Sequence, residues 1–461
     1  MKEYDLISIG TGSAMSVVTQ VLNDDPSKDI AIIENEAPGG ICLTRGCIPS
    51  KMLLYPAELV NHIKDSDKFG IDVDINNVDF KQIMERMRDH IIPQSDQIGR
   101  NLKQSDDLDF FQDDAEFIDD YTLKVGNDKI KGKKIILGTG SRDQIPPIKN
   151  IDKVDYLTSK SFLDLEELPE SIVIVGGGYI AAEYGYFLSM MGSDVTIVGR
   201  NPQFIPSEEK EVSDLAEDKL SQHMDIKTGY EVKMVKEESG KKLVYAKSKD
   251  GKKIKVGSDE LLIAAGRRSN SDILKPKRSG IETTDGGWIK VNDYLETTKD
   301  NVWALGDATG KDMFKHVANY EAELVYYNAF TDMNRKVDYH AVPHAVFTYP
   351  EIASVGMKED EARENHDISI GYYGYENTAK GSAMELEDYF VKVIVEQESY
   401  RILGAHIIGP QASVLIQEII NLMYTDDQSA IPIYRGMHIH PSMSEVVERA
   451  FSNLHSHEHT H

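Results

Sequence analysis

Tyr4-Asp-Leu-Ile-Ser-Ile9-Gly10-Thr-Gly12-Ser-Ala14-Met15 runs from an apolar strand-like segment through two glycines into a helix-forming stretch. A strand that turns on glycine into a helix lets backbone N–H groups and the helix N-terminus approach a pyrophosphate. The next apolar run, Ile30-Ala-Ile-Ile33, ends at Glu34, where a carboxylate is placed to accept hydrogen bonds from a ribose. Met15 occupies the third small position of the turn, where Gly or Ala ordinarily allows close helix–strand packing, and Ala14 beside it is the residue that relieves crowding. The pattern returns at Ser171-Ile-Val-Ile-Val175-Gly176-Gly-Gly178-Tyr179-Ile-Ala181-Ala-Glu183, with Ala181 now in the third position. Its following strand, Asp194-Val-Thr-Ile-Val198, ends at Gly199-Arg200 and carries no carboxylate for an adenosine 2′-hydroxyl. Arg200 suits a 2′-phosphate instead. Two such units predict an α/β protein that holds two dinucleotides.

Cys42 and Cys47 are the only cysteines among 461 residues, set in Gly39-Gly-Ile-Cys42-Leu-Thr-Arg-Gly-Cys47-Ile-Pro-Ser-Lys51. Closing so small a loop removes little entropy from the unfolded chain, which makes stabilisation a weak reason for a disulfide there. Two thiols this close are better explained as a pair that opens and closes. The residues after Cys47 read as a helix start. Residues five apart on an ideal helix point about 140° away from each other, so a disulfide needs a distorted turn, and Gly46 and Pro49 are residue types that permit one. The pair is a candidate redox centre. It gives both cradles a use, with NADP(H) (or NAD(H)) supplying hydride and FAD relaying electrons to sulfur.

The balance of 51 basic against 77 acidic residues gives a formal charge of −26, which makes nucleic acid and anionic membranes poor partners. No run approaches the ~18 apolar residues of a membrane span. Met1 leads almost directly into the strand at Tyr4–Ile9, leaving no room for a leader, and the thiols are reserved for one reactive pair, so a cytoplasmic protein is expected.

Three further motifs complete the reading. Asn301-Val-Trp-Ala304-Leu305-Gly306-Asp307 is a short strand ending in Gly-Asp, whose carboxylate is suited to a flavin's ribityl and phosphate region. Ile135-Ile-Leu-Gly138-Thr139-Gly140-Ser141 and Ala264-Ala265-Gly266-Arg267 read as crossings between a flavin domain and an inserted nicotinamide domain. In Met437-His438-Ile439-His440-Pro441-Ser442-Met443-Ser444-Glu445, a carboxylate on the second ring nitrogen of His440 would fix its tautomer for proton transfer. His455, His457, His459 and His461 alternate at the end of the sequence as a candidate metal-binding tail, against the plainer reading of a solvated terminus.

In this order, the motifs resemble the pyridine nucleotide–disulfide oxidoreductases, in the group containing dihydrolipoamide dehydrogenase, glutathione reductase and mycothione reductase. The resemblance covers residues 3–453. Its details are most like the mycothione reductase branch in Gly10-Thr-Gly12-Ser, Leu403-Gly-Ala-His406-Ile-Ile-Gly409-Pro-Gln-Ala-Ser413 and His440-Pro-Ser-Met-Ser-Glu445-Val-Val-Glu448. The resemblance implies that Cys42 meets the substrate and that Cys47 is the charge-transfer thiol against the flavin. It implies Lys51 near the flavin's reactive edge, paired with Glu183, and Tyr179 as a lid where nicotinamide enters. Glu34 and Asp307 would hold FAD, and His440, oriented by Glu445, would come from the partner subunit of a homodimer with a shared active site.

The expected architecture is α/β, with two Rossmann-like domains and a C-terminal α+β dimerisation domain. The FAD domain takes residues 1–148 and 267–336, the NAD(P) domain 149–266, and the interface domain 340–461. The expected activity is reduction of a low-molecular-weight disulfide, or oxidation of a dithiol in reverse. One alternative is a metal-ion reductase for Hg(II) or Cu(II) acting through the same thiols, like mercuric reductase, whose usual C-terminal cysteine pair is missing here. The other is a dihydrolipoamide dehydrogenase subunit of an oxoacid dehydrogenase complex.

Overall fold

Runs such as Ile30–Ile33 are apolar on both faces, the pattern of a strand covered on two sides. They lie fully buried in the computed structural model, which describes residues 1–456. The first sheet takes β1 (Lys2–Ile9), β2 (Ile30–Ile33), β3 (Asp109–Phe111), β4 (Ala115–Asp119), β5 (Thr122–Val125) and β6 (Asp128–Leu137) in the order β3-β2-β1-β6-β5-β4. Its β3-β2-β1-β6 portion is parallel, as crossover helices require. Those helices are α1 (Met15–Asp24), α2 (Gly40–Arg45), α3 (Cys47–Lys64) and α4 (Phe80–Gln104). Asp79 caps α4 by accepting from the Gln82 N–H.

After β7 (Ser141–Asp143) the chain leaves this sheet. β8 (Ser171–Val175), α5 (Tyr179–Met191), β9 (Asp194–Val198), α6 (Lys210–Leu220) and β10 (Asp225–Lys227) build a second parallel sheet. The antiparallel β11 (Tyr230–Glu238), β12 (Lys241–Ser248) and β13 (Lys253–Ser258) follow, and β14 (Glu260–Ile263) closes the parallel sheet beside β8. β15 (Arg267–Ser269) returns antiparallel to β7, so the chain leaves and re-enters the first unit along one two-stranded ribbon. The short α7 (Ser271–Leu274) follows. β16 (Val302–Ala304) then joins β6, and α8 (Lys315–Phe330) packs beside α1.

The C-terminal sheet is antiparallel, with β17 (Pro343–Val346), β18 (Ile352–Gly356), β19 (Ile368–Gly374), β20 (Phe390–Glu396), β21 (Ile402–Ile408) and β22 (Leu454–Ser456) in the order β17-β18-β21-β20-β19-β22. Its core includes Val391, Val393, Ala405 and Ile407 against Ile416 and Ile419 of the helix Ala412–Met423. Where this sheet meets the second unit, the buried Lys392 ammonium reaches Glu209 and Glu359 at 2.6 Å each and Glu211 at 3.1 Å. Beside it, Glu208 accepts from Ser354 at 2.7 Å and pairs with His344 at 2.8 Å. Those buried charges are matched, as burial demands.

One local expectation is revised and two others take a place in the structure. The Cys42–Cys47 span is not an open loop. Cys42 lies in α2 and Cys47 opens α3, with the break at Gly46 (φ −131°, ψ −116°), while Pro49 sits harmlessly in the first turn of α3. In the first cradle the close approach is made by Ala14 rather than the third position. Ala14 is buried, and a Cβ on Gly138 would lie 2.8 Å from its methyl, whereas Met15 is only half-buried. Of the histidine tail, His455 belongs to β22 and its ring bonds Asn453 at 2.9 Å. His457, His459 and His461 lie outside the described residues.

Candidate active site

The first Gly turn creates a concave cradle because no side chain fits in it. Gly10 has φ +105°, and a Cβ there would stand 2.2 Å from the Gly138 carbonyl oxygen. A Cβ on Gly40 would come within 2.6 Å of Gly12. The resulting cavity is lined by Gly10, Gly12, Glu34, Thr139, Gly140, Gly306, Asp307, Cys42 and Cys47 together. Glu34 accepts from the Thr11 N–H at 3.0 Å and from the Thr11 hydroxyl at 2.7 Å. Asp307 accepts from Ser141 Oγ, which in turn accepts from Arg267 Nε at 2.9 Å. The Thr139 hydroxyl is buried with no partner, and a polar atom so placed calls for one from a ligand. These are the donors, acceptors and bare backbone that FAD needs, so the residues fit that group.

Cys42 and Cys47 are free thiols close enough for each to shift the other's titration. The neighbouring Cys47 is the main reason the Cys42 thiol is lowered to about 6. Burial opposes it, and the charge of Lys315 and the backbone N–H groups of Cys47 and Ile48 add to it. The neighbouring Cys42 in turn pushes Cys47 up. Cys47 also lines a groove with Lys51, Met52, Tyr55 and Arg86, so this one residue borders both hollows.

Lys51 bonds both oxygens of the buried Glu183 at 2.8 Å and lies 4.5 Å from the centre of the Phe347 ring. Glu183 also accepts from the Phe347 N–H at 3.0 Å. Tyr179 begins α5 near this group. Burial raises its phenol to about 12, with Arg267 opposing and Asp307, Glu183 and Cys47 adding to the rise. At the second cradle, a Cβ on Gly176 would meet the Ala264 carbonyl at 2.1 Å, whereas Gly178 faces open space. Arg200 is exposed beyond β9, close enough to act on Glu231. Gly266 turns the chain at φ +107° and its carbonyl accepts from the Gln144 N–H, away from the cavity.

His440 Nδ1 bonds Glu445 at 2.9 Å, and Glu445 also accepts from the Ser442 N–H at 3.1 Å. Those bonds, the histidine's first, hold the Glu445 carboxyl below its usual range. The His440 ring is 70% exposed, and neither residue lines the cavity of its own chain.

A family model described as pyridine nucleotide-disulphide oxidoreductase matches residues 4–322, and the dimerisation domain of the same family matches residues 342–451. The chain belongs to the pyridine nucleotide-disulphide oxidoreductase family. It is 35% identical to the mycothione reductase of Mycobacterium tuberculosis, over 98% of this chain and 100% of that protein. It is 30% identical to a mercuric reductase of Staphylococcus aureus, over 90% of this chain and 76% of that one. The Cu(II) complex of the HOCl-induced flavoprotein disulfide reductase RclA from Escherichia coli superposes with a TM-score of 0.86 at 28% identity, over 98% of this chain and 99% of that one. The enzyme is an NAD(P)H-dependent flavoprotein disulfide oxidoreductase of a family that uses FAD, and its matched dimerisation domain supports a homodimer. Among the described residues, no helix is long and apolar enough to cross a membrane.

Several residues at the site were not read from sequence. Glu36 pairs with Arg45 and, at 2.7 Å, with Lys160; Asn270 donates to the Thr139 carbonyl at 2.9 Å; Lys315 donates to Ser13 at 2.8 Å. Glu36 follows Glu34 by two residues and Lys315 begins the helix after Gly306-Asp307, and those positions were the available signals.

Proposed function

We propose that this enzyme passes electrons from NADPH through Cys42 and Cys47 to a low-molecular-weight disulfide. The observation that carries the reading is the two free thiols together on the wall of a dinucleotide cradle, with the Lys51–Glu183 pair beside them. FAD, when bound, supplies a two-electron relay between nicotinamide and sulfur. Gly10, Gly12, Glu34, Thr139, Gly140, Gly306 and Asp307 would hold it, and Gly176, Gly178 and Arg200 would hold NADPH, with Tyr179 covering the entry and Gly266 turning the chain between the two units. Cys42 attacks the substrate disulfide, and Cys47 then closes on Cys42 to release the second thiol.

The leaving thiolate needs a proton, and the oriented but exposed His440 suits a donor working on the other subunit of a homodimer. A reducing cytoplasm is the matching compartment. The domain limits that follow are 1–148 with 267–336 for FAD, 149–266 for NADP(H), and 340–461 for the interface.

A second reading, reduction of Cu(II) or Hg(II), is supported by the likeness to mercuric reductase and to a protein whose solved structure is a Cu(II) complex. Anaerobic NADPH oxidation against a panel of small disulfides and both metal ions separates the two. The first reading expects the fastest turnover with a disulfide and a drop of about 10²–10⁴-fold in His440→Ala. A chain ending before His457, which keeps β22, should turn over disulfides normally. Faster oxidation with a metal ion than with every disulfide, slowed by that truncation, would give the second reading precedence.

A further inference from the structure

Glu321 is a carboxylate buried in α8 without a counter-ion. Only 1% of its surface is exposed, and among the described residues no lysine, arginine or histidine pairs with it, whereas the similarly buried Glu183 has Lys51. Its two oxygens are taken by neutral donors instead. Oε2 accepts from the Gly306 N–H at 2.5 Å, and Oε1 accepts from the Tyr339 hydroxyl at 2.5 Å. Burial pushes the carboxyl up, and those two bonds work against it. A charge so placed is costly unless it is hydrogen-bonded. Both neighbours arrive as donors, and a carboxylate offers an oxygen to each, where an amide offers only one.

Both bonds bear on the first cradle. Gly306, at φ +63°, begins the Gly306–Asp307 step that lines the cavity. A Cβ on Gly306 would stand 3.0 Å from the Ala318 methyl, so this turn lies directly against α8. Ala318 and Glu321 are about one helical turn apart and share a face of α8. Ala318 sets how near the turn comes, and Glu321 sets how it is rotated. Tyr339, on the other oxygen, belongs to the segment that leads from α8 into the C-terminal sheet. That segment is pinned on both sides of Tyr339: the Asp338 N–H donates to the Tyr320 hydroxyl at 2.9 Å, and the His340 ring bonds the Met423 carbonyl at 2.8 Å.

We propose that Glu321 is a positioning residue for FAD, fixing the Gly306–Asp307 turn so that the Asp307 carboxylate faces the cofactor. The inference rests on the reading given above of Gly306 and Asp307 as FAD-holding residues, and Glu321 acts through them without touching FAD. Other bonds of the turn do not replace it. The Thr309 N–H and hydroxyl reach the Gly306 carbonyl at 3.0 and 3.1 Å, and the Gly310 N–H reaches the Asp307 carbonyl at 3.2 Å. Those bonds close the turn on itself and leave the Gly306 N–H to Glu321. With that carboxylate removed, the buried Gly306 N–H has lost its acceptor, and the turn must rotate to find another. Asp307 then leaves the position in which Ser141, itself held by Arg267, meets it.

The test is the rate at which the purified holoenzyme releases FAD on dilution, followed by the rise in flavin fluorescence. Glu321→Leu should release FAD about 10–100-fold faster and Tyr339→Phe about threefold faster. Glu321→Gln, which keeps an acceptor for the Gly306 N–H, should stay near the wild-type rate. Beside Asp307→Ala, the Glu321→Leu change should add little, because the turn then has no carboxylate to aim. A folded Glu321→Leu enzyme that releases FAD at the wild-type rate overturns the proposal. So does a Glu321→Leu effect that keeps its full size beside Asp307→Ala, which would make Glu321 a support of the fold alone. Should Glu321→Leu not fold, Tyr339→Phe decides, and an unchanged release rate in that variant overturns the proposal. A wild-type protein that is purified without flavin and takes up none from added FAD overturns the FAD reading itself, and this inference with it.

Discussion

Glu183→Gln separates the structural from the catalytic share of the Lys51–Glu183 pair. Glu183 is buried and receives three contacts, two from one ammonium at 2.8 Å and one from the Phe347 N–H at 3.0 Å. A hydrogen bond to a charged group contributes about 1.5–3 kcal/mol. The two contacts from Lys51 form one bidentate interaction, counted once. The Lys51 side chain is 35% exposed, which places the interaction at the lower end, about 1.5 kcal/mol. Glutamine with its carbonyl at the Oε1 position still accepts from the ammonium and the Phe347 amide, but its NH2 replaces the Oε2 acceptor and faces the ammonium, at about 1 kcal/mol more. The sum is about 2–3 kcal/mol.

If about half of that appears as a displaced ammonium during flavin reduction, the step slows about tenfold, since ~1.4 kcal/mol is one decade in rate. Stopped-flow reduction by NADPH measures the rate, and urea denaturation measures the stability. A Glu183→Gln enzyme destabilised by this amount but reduced at the wild-type rate would refute the reasoning, leaving the pair as a tie between α3, α5 and β17–β18.

Cys42→Ser should show a long-wavelength thiolate–flavin absorption without added reductant, and Cys47→Ser should lack it; identical spectra would remove the assigned division of labour. Arg200→Ala should raise the KM for NADPH by about one to two decades and leave NADH nearly unchanged, and equal losses for both would reduce Arg200 to a surface residue. Burial opposes both charges of the Glu208–His344 pair, yet their mutual bond holds Glu208 below and His344 above the ordinary values of 4.5 and 6.5. The pair therefore stabilises fully between those two values, and its contribution is lost as pH falls through the lowered carboxyl or rises through the raised imidazole. The Tm difference between wild type and His344→Gln should be largest in that window and shrink on both sides, whereas a pH-independent difference would mean packing alone.

What the sequence determined by itself is whatever depends on neighbours along the chain. The Gly10 and Gly176 turns, the apolar strands that precede them and the Cys42–Cys47 pair were readable because a glycine with positive φ, a buried strand and a short loop are local features. From their order came the α/β class and the family. The helical form of the Cys42 segment was less legible, since six residues between glycines carry no periodicity and α2 is stabilised by packing against α3 and α4.

The tertiary structure decided which charges act on the sulfurs. Ser13 and Lys315 are 302 residues apart in the chain, and Lys51 and Glu183 are 132 apart. No spacing rule connects such pairs, because they meet only when α8 packs on the first cradle and α5 packs on α3.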